Sequence, residues 1–225
     1  MMMDTPYSQR NFYTGSKMIE AILFDLDGVL VDACEWHYEA LNKALKDIVG
    51  IEISIEDHLI KYNGLPTKVK LKAMGIPDSE AKKVWRLKQD LTIETIKENA
   101  KISKEKIELH SFLKENNIKI CCVTNSIRET AELMLKSTGQ LEFMDMVITN
   151  EDVENNKPSP DCYNLAVKEL NINPEKAIIV EDSPKGIESG ILSTVNCMWK
   201  VSTSKDVTLN NYRRFVNENF NTNGG

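Results

Sequence analysis

Ala21-Ile22-Leu23-Phe24-Asp25-Leu26-Asp27-Gly28-Val29 decides how this chain is read. The first four residues form an unbroken apolar run, the pattern of a strand buried on both faces of a parallel sheet. Two aspartates follow, two positions apart, with a glycine behind them. Open α/β sheets place ligands at the carboxyl ends of their strands, and Asp25 falls there. A carboxylate beside a buried run costs free energy unless something compensates it. A hard cation does so, and an all-oxygen donor set suits Mg²⁺. Two such acids can divide the labour of phosphoryl transfer. One attacks phosphorus as a carboxylate; the other protonates the leaving oxygen and later takes a proton from water. Gly28 lets the backbone turn away tightly. By itself the stretch also fits a plain Asp-Gly turn between strand and helix.

Three further segments extend the pattern. The apolar run 118–123 leads into Thr124-Asn125-Ser126. Thr124 offers a hydroxyl to a phosphate oxygen, and a helix expected over 126–138 would turn its first N–H groups toward an anion. Asn125 or Ser126 serves equally well as a helix N-cap. In Asn156-Lys157-Pro158 the proline biases Lys157 toward an extended conformation. A lysine fixed there acts as a point charge on phosphate, although most lysines are solvated. The run Ala177-Ile178-Ile179-Val180 ends in Glu181-Asp182-Ser183-Pro184. Asp182 reads as a direct metal ligand and Glu181 as a ligand or water-holder; both acids would also favour the dipole of the helix that Ser183 and Pro184 open. Each segment has a purely structural explanation. Their order, and the strand before three of them, point jointly to metal-assisted phosphoryl transfer.

The set D-x-D-G-V, T-N-S, K-P and E-D-S-x-x-G resembles the haloacid dehalogenase-like phosphohydrolase superfamily over residues 20–201. It is most similar to the helical-cap branch, with its phosphoglycolate phosphatases and β-phosphoglucomutases. The resemblance implies that Asp25 is the nucleophile, forming an aspartyl-phosphate, and that Asp27 is the general acid/base, its carbonyl also meeting Mg²⁺. It implies that Thr124 and the Asn125 backbone bind the transferring group, with Ser126 beside them. Lys157 would bridge Asp25 and that group, and Glu181 and Asp182 would hold the metal together with Asp25 and Asp27. The second acid favours phosphate esters, because dehalogenating relatives lack it. Departures are Ala33, where a hydroxyl residue is usual, Lys101-Ile102-Ser103-Lys104-Glu105 in place of a Pro-Gly turn, and Ser189-Gly190 in place of Ala-Gly.

From Ala33 to about Ala100 the pattern is helical, and then strands and helices alternate. That alternation indicates a Rossmann-like parallel sheet with helices on both faces. The expected organisation is an extension over 1–18, an α/β core from 19–32 and 102–225, and a helical cap over 33–101. Hinges would lie near Ala33 and Lys101–Lys104, and closure would exclude water from the site. Substrate choice would then be written in the cap. His37, ten residues after Asp27, reads either as a partly exposed helix residue or as a group reaching the site. In β-phosphoglucomutase-like relatives a histidine there couples closure to the acid/base. Thr67 and Lys68 fall where such caps present a specificity loop, and Lys68 could meet an anionic group or water. Trp36 and Trp85 read as packing.

The 225 residues, 41% hydrophobic and 28% charged, suit one core with an inserted cap. A net charge of −6 argues against general binding to nucleic acid or anionic membranes. Phosphate must therefore be attracted locally. Five cysteines without metal or redox spacing fit a reducing cytoplasm. Residues 1–18 contain no signal-like apolar stretch, and no segment is long and apolar enough for a spanning helix. A monomer is the expectation for a mobile cap. Three functions fit: a Mg²⁺-dependent phosphatase for a small metabolite such as a sugar phosphate or phosphoglycolate, a phosphomutase of the β-phosphoglucomutase type, and a phosphate-binding protein without catalysis. Turnover of any phosphate ester separates the third from the others, and the identity of the phosphoryl acceptor separates the first two.

Overall fold

A computed structural model describes residues 19–62 and 64–220. The expected extension over 1–18 and the tail 221–225 lie outside the described residues. Five parallel strands form one sheet: β1 (Ala21–Phe24), β2 (Lys119–Val123), β3 (Met146–Ile148), β4 (Ala177–Glu181) and β5 (Cys197–Lys200), in the order β3-β2-β1-β4-β5. The chain runs outward from β1 through β2 to β3 and then returns to the other side of β1. The crevice at the carboxyl end of β1 is thus the switch point where such sheets bind ligands.

Residue alternation explains why the strand runs are apolar throughout. Ile22, Phe24, Ile120, Cys122, Ile178 and Val180 enter the core on one face. Ala21, Leu23, Cys121, Val123, Ala177 and Ile179 enter the other. Helices α5 (Lys104–Glu115), α6 (Arg128–Ser137) and α9 (Leu209–Phe220) pack on the first face through Leu109, Leu113, Met134, Leu135, Tyr212 and Val216. Helix α7 (Asp161–Glu169) covers the second through Cys162, Tyr163 and Ala166. Helix α8 (Pro184–Leu192) lies against β4, with Gly190 letting it approach: a Cβ there would stand 2.3 Å from Met198 Cε. Sheet and layers match the expected α/β architecture.

Between β1 and β2 the chain forms α1 (Cys34–Val49), α2 (Ile55–Asp57) running into a π-turn (His58–Tyr62), α3 (Thr67–Ala73) and α4 (Asp78–Asn99). Leu41, Ala44, Leu45, Leu71 and Val84 give this insert its own small core. Ala33 and Ile96 belong instead to the sheet's core and anchor the insert at its two ends. One local expectation is corrected. Helix α6 starts at Arg128 behind Ile127, so neither Asn125 nor Ser126 is its N-cap. Residues 141–143 form a 3₁₀ turn, and β3 begins only at Met146.

Candidate functional site

Asp25, Thr124 and Glu181 stand at the carboxyl ends of three adjacent strands. Ladder hydrogen bonds continue one residue past each apolar run: the Asp25 N–H donates to Val180 O and the Thr124 N–H to Ile148 O. The chain then turns sharply, with Leu26 O accepting from the N–H groups of Val29, Leu30 and Val31. Gly28 has φ +89°, which an L side chain resists. A Cβ there would sit 2.2 Å from Asp182 Oδ2, so the glycine also makes room for the second acidic pair.

Lys157 is at the centre, only 3% exposed. Its Nζ donates to Asp25 Oδ1 (2.6 Å), Glu181 Oε1 (2.7 Å) and Val123 O (2.8 Å). All three ammonium protons are therefore used. The Tyr163 ring lies beneath it, 4.7 Å from centroid to nitrogen, and the Tyr163 hydroxyl donates to Glu181 Oε1. Burial alone would lower the Lys157 pKa; Asp25 and then Glu181 reverse that and raise it. The loop is held by Asn125, whose Oδ1 accepts from the Lys157 N–H while its Nδ2 donates to Lys157 O and to Gly64 O of the insert.

Asp25, Glu181 and Asp182 bring carboxylate oxygens within 4.8 Å of one another. Burial first, and Glu181 second, raise the pKa of Asp25 and push that of Asp182 up to about 7. Asp182 Oδ1 is buried without a hydrogen-bond partner. Three crowded carboxylates with one orphaned oxygen are what a cation would satisfy, so the residues fit a metal ion. Glu181 Oε2 accepts from the Asp182 and Ser183 N–H groups, and Ser183 caps α8 as expected.

The Asp27 carboxylate stands apart from that group. Its Oδ1 meets His37 Nε2 (2.9 Å) and its Oδ2 accepts from the Ser126 hydroxyl (2.9 Å). Lys88 Nζ donates to His37 Nδ1 (3.0 Å), which makes Nδ1 an acceptor and leaves Nε2 as the donor to Asp27. Burial, followed by Lys88, lowers the His37 pKa, in keeping with a neutral ring. Burial opposes ionisation of Asp27, but His37 and then Ser126 outweigh it and hold its pKa low. The two aspartates thus differ: one is bound to an ammonium, the other to a neutral imidazole and a hydroxyl.

These residues line a cavity of about 540 Å³ between the sheet end and the insert. Asp25, Asp27, His37, Thr67, Lys68, Thr124, Asn125, Ser126 and Lys157 all border it. Thr124 Oγ1 accepts from the Ser126 N–H and keeps that loop turned toward the cavity. Lys68 rides over the Trp85 ring, 5.3 Å from its centroid. Among the wall residues that escaped the sequence reading are Lys70, Lys88, Gln89 and His58. Their signal was a lysine on an inward helical stripe, as in Val84-Lys88-Thr92-Ile96 at intervals of four. Tyr163 was also missed. Cys34 borders the cavity, with burial and then Asp27 raising its thiol's pKa.

Fold and site together define a phosphatase-type enzyme of the parallel α/β class. A family model described as haloacid dehalogenase-like hydrolase matches residues 22–200. The chain is 30% identical over 178 residues to a phosphorylated carbohydrates phosphatase of Thermotoga maritima, covering 76% of this chain and 80% of that protein. It is 28% identical over 172 residues to a phosphoglycolate phosphatase of Aquifex aeolicus, covering 76% and 80%. A crystal structure of β-phosphoglucomutase from Clostridium difficile superposes with a TM-score of 0.75 at 26% identity, covering 89% of this chain and 98% of that one. The chain belongs to the haloacid dehalogenase-like hydrolase family. Within it, the protein is a phosphatase of phosphorylated compounds.

Proposed function

We propose that the protein is a Mg²⁺-dependent phosphatase acting on a small phosphorylated metabolite, a sugar phosphate or a phosphoglycolate-like ester, through an aspartyl-phosphate on Asp25. The observation that carries this reading is the separation of the two aspartates described above. An Asp25 oxygen attacks phosphorus and the ester P–O bond breaks. Asp27 is ionised in the substrate-free site; the negative charge of an entering substrate favours its protonation, and it then delivers that proton to the leaving alkoxide. Water then attacks the phosphoryl group, Asp27 takes its proton, and Asp25 is regenerated as phosphate leaves. Thr124 and the Asn125 backbone hold the phosphoryl oxygens while Lys157 offsets repulsion between Asp25 and an anionic substrate. Asp25, Asp182 and the Asp27 carbonyl would hold Mg²⁺, with Glu181 orienting this set. The bound ion supplies positive charge that neutralises the transferring phosphoryl group.

Residues 33–101 act as a cap over a core from 19–32 and 102–225, with 1–18 as an extension, and His37, Thr67 and Lys68 face the substrate from the cap. A cavity of this volume suits a free metabolite. Five free cysteines fit a reducing cytoplasm, and no helix among the described residues is long and apolar enough to cross a membrane. We take the working unit to be a monomer.

Phosphate release from a panel of phosphorylated metabolites, with Mg²⁺ or with EDTA, tests the reading beside Asp25→Asn. A Mg²⁺-dependent hit that Asp25→Asn abolishes, with circular dichroism unchanged, is expected; turnover retained in that variant overturns the covalent mechanism. The phosphomutase reading keeps one specific support, the His37–Asp27 contact. Failure to convert β-glucose 1-phosphate to glucose 6-phosphate with a bisphosphate primer removes it.

A further inference from the structure

The part of the cavity wall supplied by the insert carries positive charge for which the described residues supply no free counter-ion. Lys70 of α3 and Lys88 of α4 are 7% and 6% exposed, and both border the cavity. Among the described residues Lys70 Nζ has no hydrogen-bonded or ion-paired partner. Lys88 Nζ spends one proton on His37 Nδ1 and has two more to give. Asp27 is the carboxylate whose charge both lysines feel, but its two oxygens are taken by His37 and Ser126. Burial lowers both lysines, to about 8 for Lys70 and, with repulsion from Lys70 added, to about 7 for Lys88. Two further polar atoms are stranded on the same wall. Gln89 Oε1 and His58 Nδ1 are buried without a partner, in residues 7% and 1% exposed. Natural interiors rarely leave such atoms unsatisfied unless a ligand or water completes them. A well-packed structural lysine looks different here: Lys106 is equally buried but donates to Ser204 O and Val207 O.

We propose that Lys70 and Lys88, with Gln89 and His58 beside them, form a subsite for a second anionic group of the substrate, so that the enzyme selects phosphomonoesters bearing a further phosphate or carboxylate. This rests on the phosphatase reading and deepens it. The reacting phosphoryl group lies at the sheet end, against Thr124 and Lys157; the second anion lies across the cavity, between α3 and α4. Charge-assisted hydrogen bonds to the two ammonium groups hold it, and Gln89 accepts from a substrate hydroxyl. Lys68, placed over Trp85, borders the same cavity.

Two matched pairs separate a carboxylate from a phosphate as the second anion: 3-phosphoglycerate against glycerol 3-phosphate, and fructose 1,6-bisphosphate against fructose 6-phosphate. In wild-type protein the doubly anionic member of at least one pair is expected to have the higher kcat/KM, by tenfold or more. Lys70→Met should collapse that ratio at least tenfold, mainly through KM, whereas Lys70→Arg should hold it within threefold. Equal kcat/KM within both pairs, or a Lys70→Met loss shared equally by both members, overturns the subsite. Calorimetric binding of the same four compounds to Asp25→Asn protein supplies a readout free of turnover. Preference for the dianions there, without hydrolysis of any ester by wild-type protein, would keep the subsite and reject the phosphatase reading. Hydrolysis with no preference in either assay would do the reverse.

Discussion

At the scale of single residues, the site depends on close approaches and on charges held away from water. Gly28→Ala combines a left-handed backbone with a Cβ 2.2 Å from Asp182 Oδ2. The backbone part costs roughly 1–2 kcal/mol, and the carboxylate must move. We expect a lower melting temperature and an apparent Kd for Mg²⁺ raised about tenfold, read from Mg²⁺ titration of activity; an unchanged titration would mean Asp182 is not a ligand. Lys70 carries a pH prediction. Its native pKa, lowered by burial to about 8, is below the 10.5 of a free lysine. Between these values the unfolded chain binds more protons, so substrate-free protein gains stability as pH rises through that window. Anion binding has the opposite sign, because it needs the ammonium. For a substrate with a second anionic group kcat/KM should fall as pH rises through about 7 to 8, as Lys88 and then Lys70 lose their protons, and Lys70→Arg should remove the upper part of that limb, since arginine stays charged. A profile identical in the two proteins would exclude Lys70 as its source.

Between elements, the side chain of Asn125 ties three pieces together: the loop after β2, the Lys157 loop and Gly64 at the start of the α3 segment. Two of its bonds position Lys157 and the other spans from sheet to insert. Asn125→Ala removes three hydrogen bonds, about 3 kcal/mol at typical net values. Hydrogen exchange should quicken over residues 64–73, and kcat/KM should drop at least tenfold. Unaltered exchange there would show that Gly64 is not held by this contact. The same element-scale view explains why α6 begins late. Ser126 spends its hydroxyl on Asp27 and its N–H on Thr124, so it belongs to the site rather than to the helix start.

For the molecule as a whole, the acidic group proposed to hold the metal couples site and stability. Asp25, Glu181 and Asp182 repel one another across the junction of β1 and β4. A cation bound to the native state alone stabilises it by about 1.4 kcal/mol at ten times its Kd. For a chain of this size that is about 3–5 °C in melting temperature. Mg²⁺ should raise the melting temperature by this amount, EDTA should reverse it, and Asp182→Asn should abolish the response. A melting temperature indifferent to Mg²⁺ in wild-type protein would count against the metal assignment. The insert contributes on the same scale, because its walls supply the half of the cavity that the sheet lacks.

The centre of the sheet was legible in the sequence because β1, β2 and β4 are buried on both faces, so their runs are almost wholly apolar. Asp25, Thr124 and Glu181-Asp182 were legible for a related reason: in a parallel sheet the residues just after such runs converge at one edge, whatever the loops between them do. Lys157 was legible through its proline. What tertiary structure alone decided was pairing and partnership. The Asp27 carboxylate joins His37 of α1 and Ser126 of the loop after β2 rather than the carboxylates of Asp25, Glu181 and Asp182. Tyr163 reaches Glu181 because α7 packs on the sheet face that Ala177 and Ile179 of β4 also enter. Lys70 and Lys88, 18 positions apart on different helices, face one cavity because the insert folds back over the sheet. Strand burial leaves a local imprint in the order of residues; a contact between distant helices does not, since it depends on where each side chain arrives and on what charge already waits there.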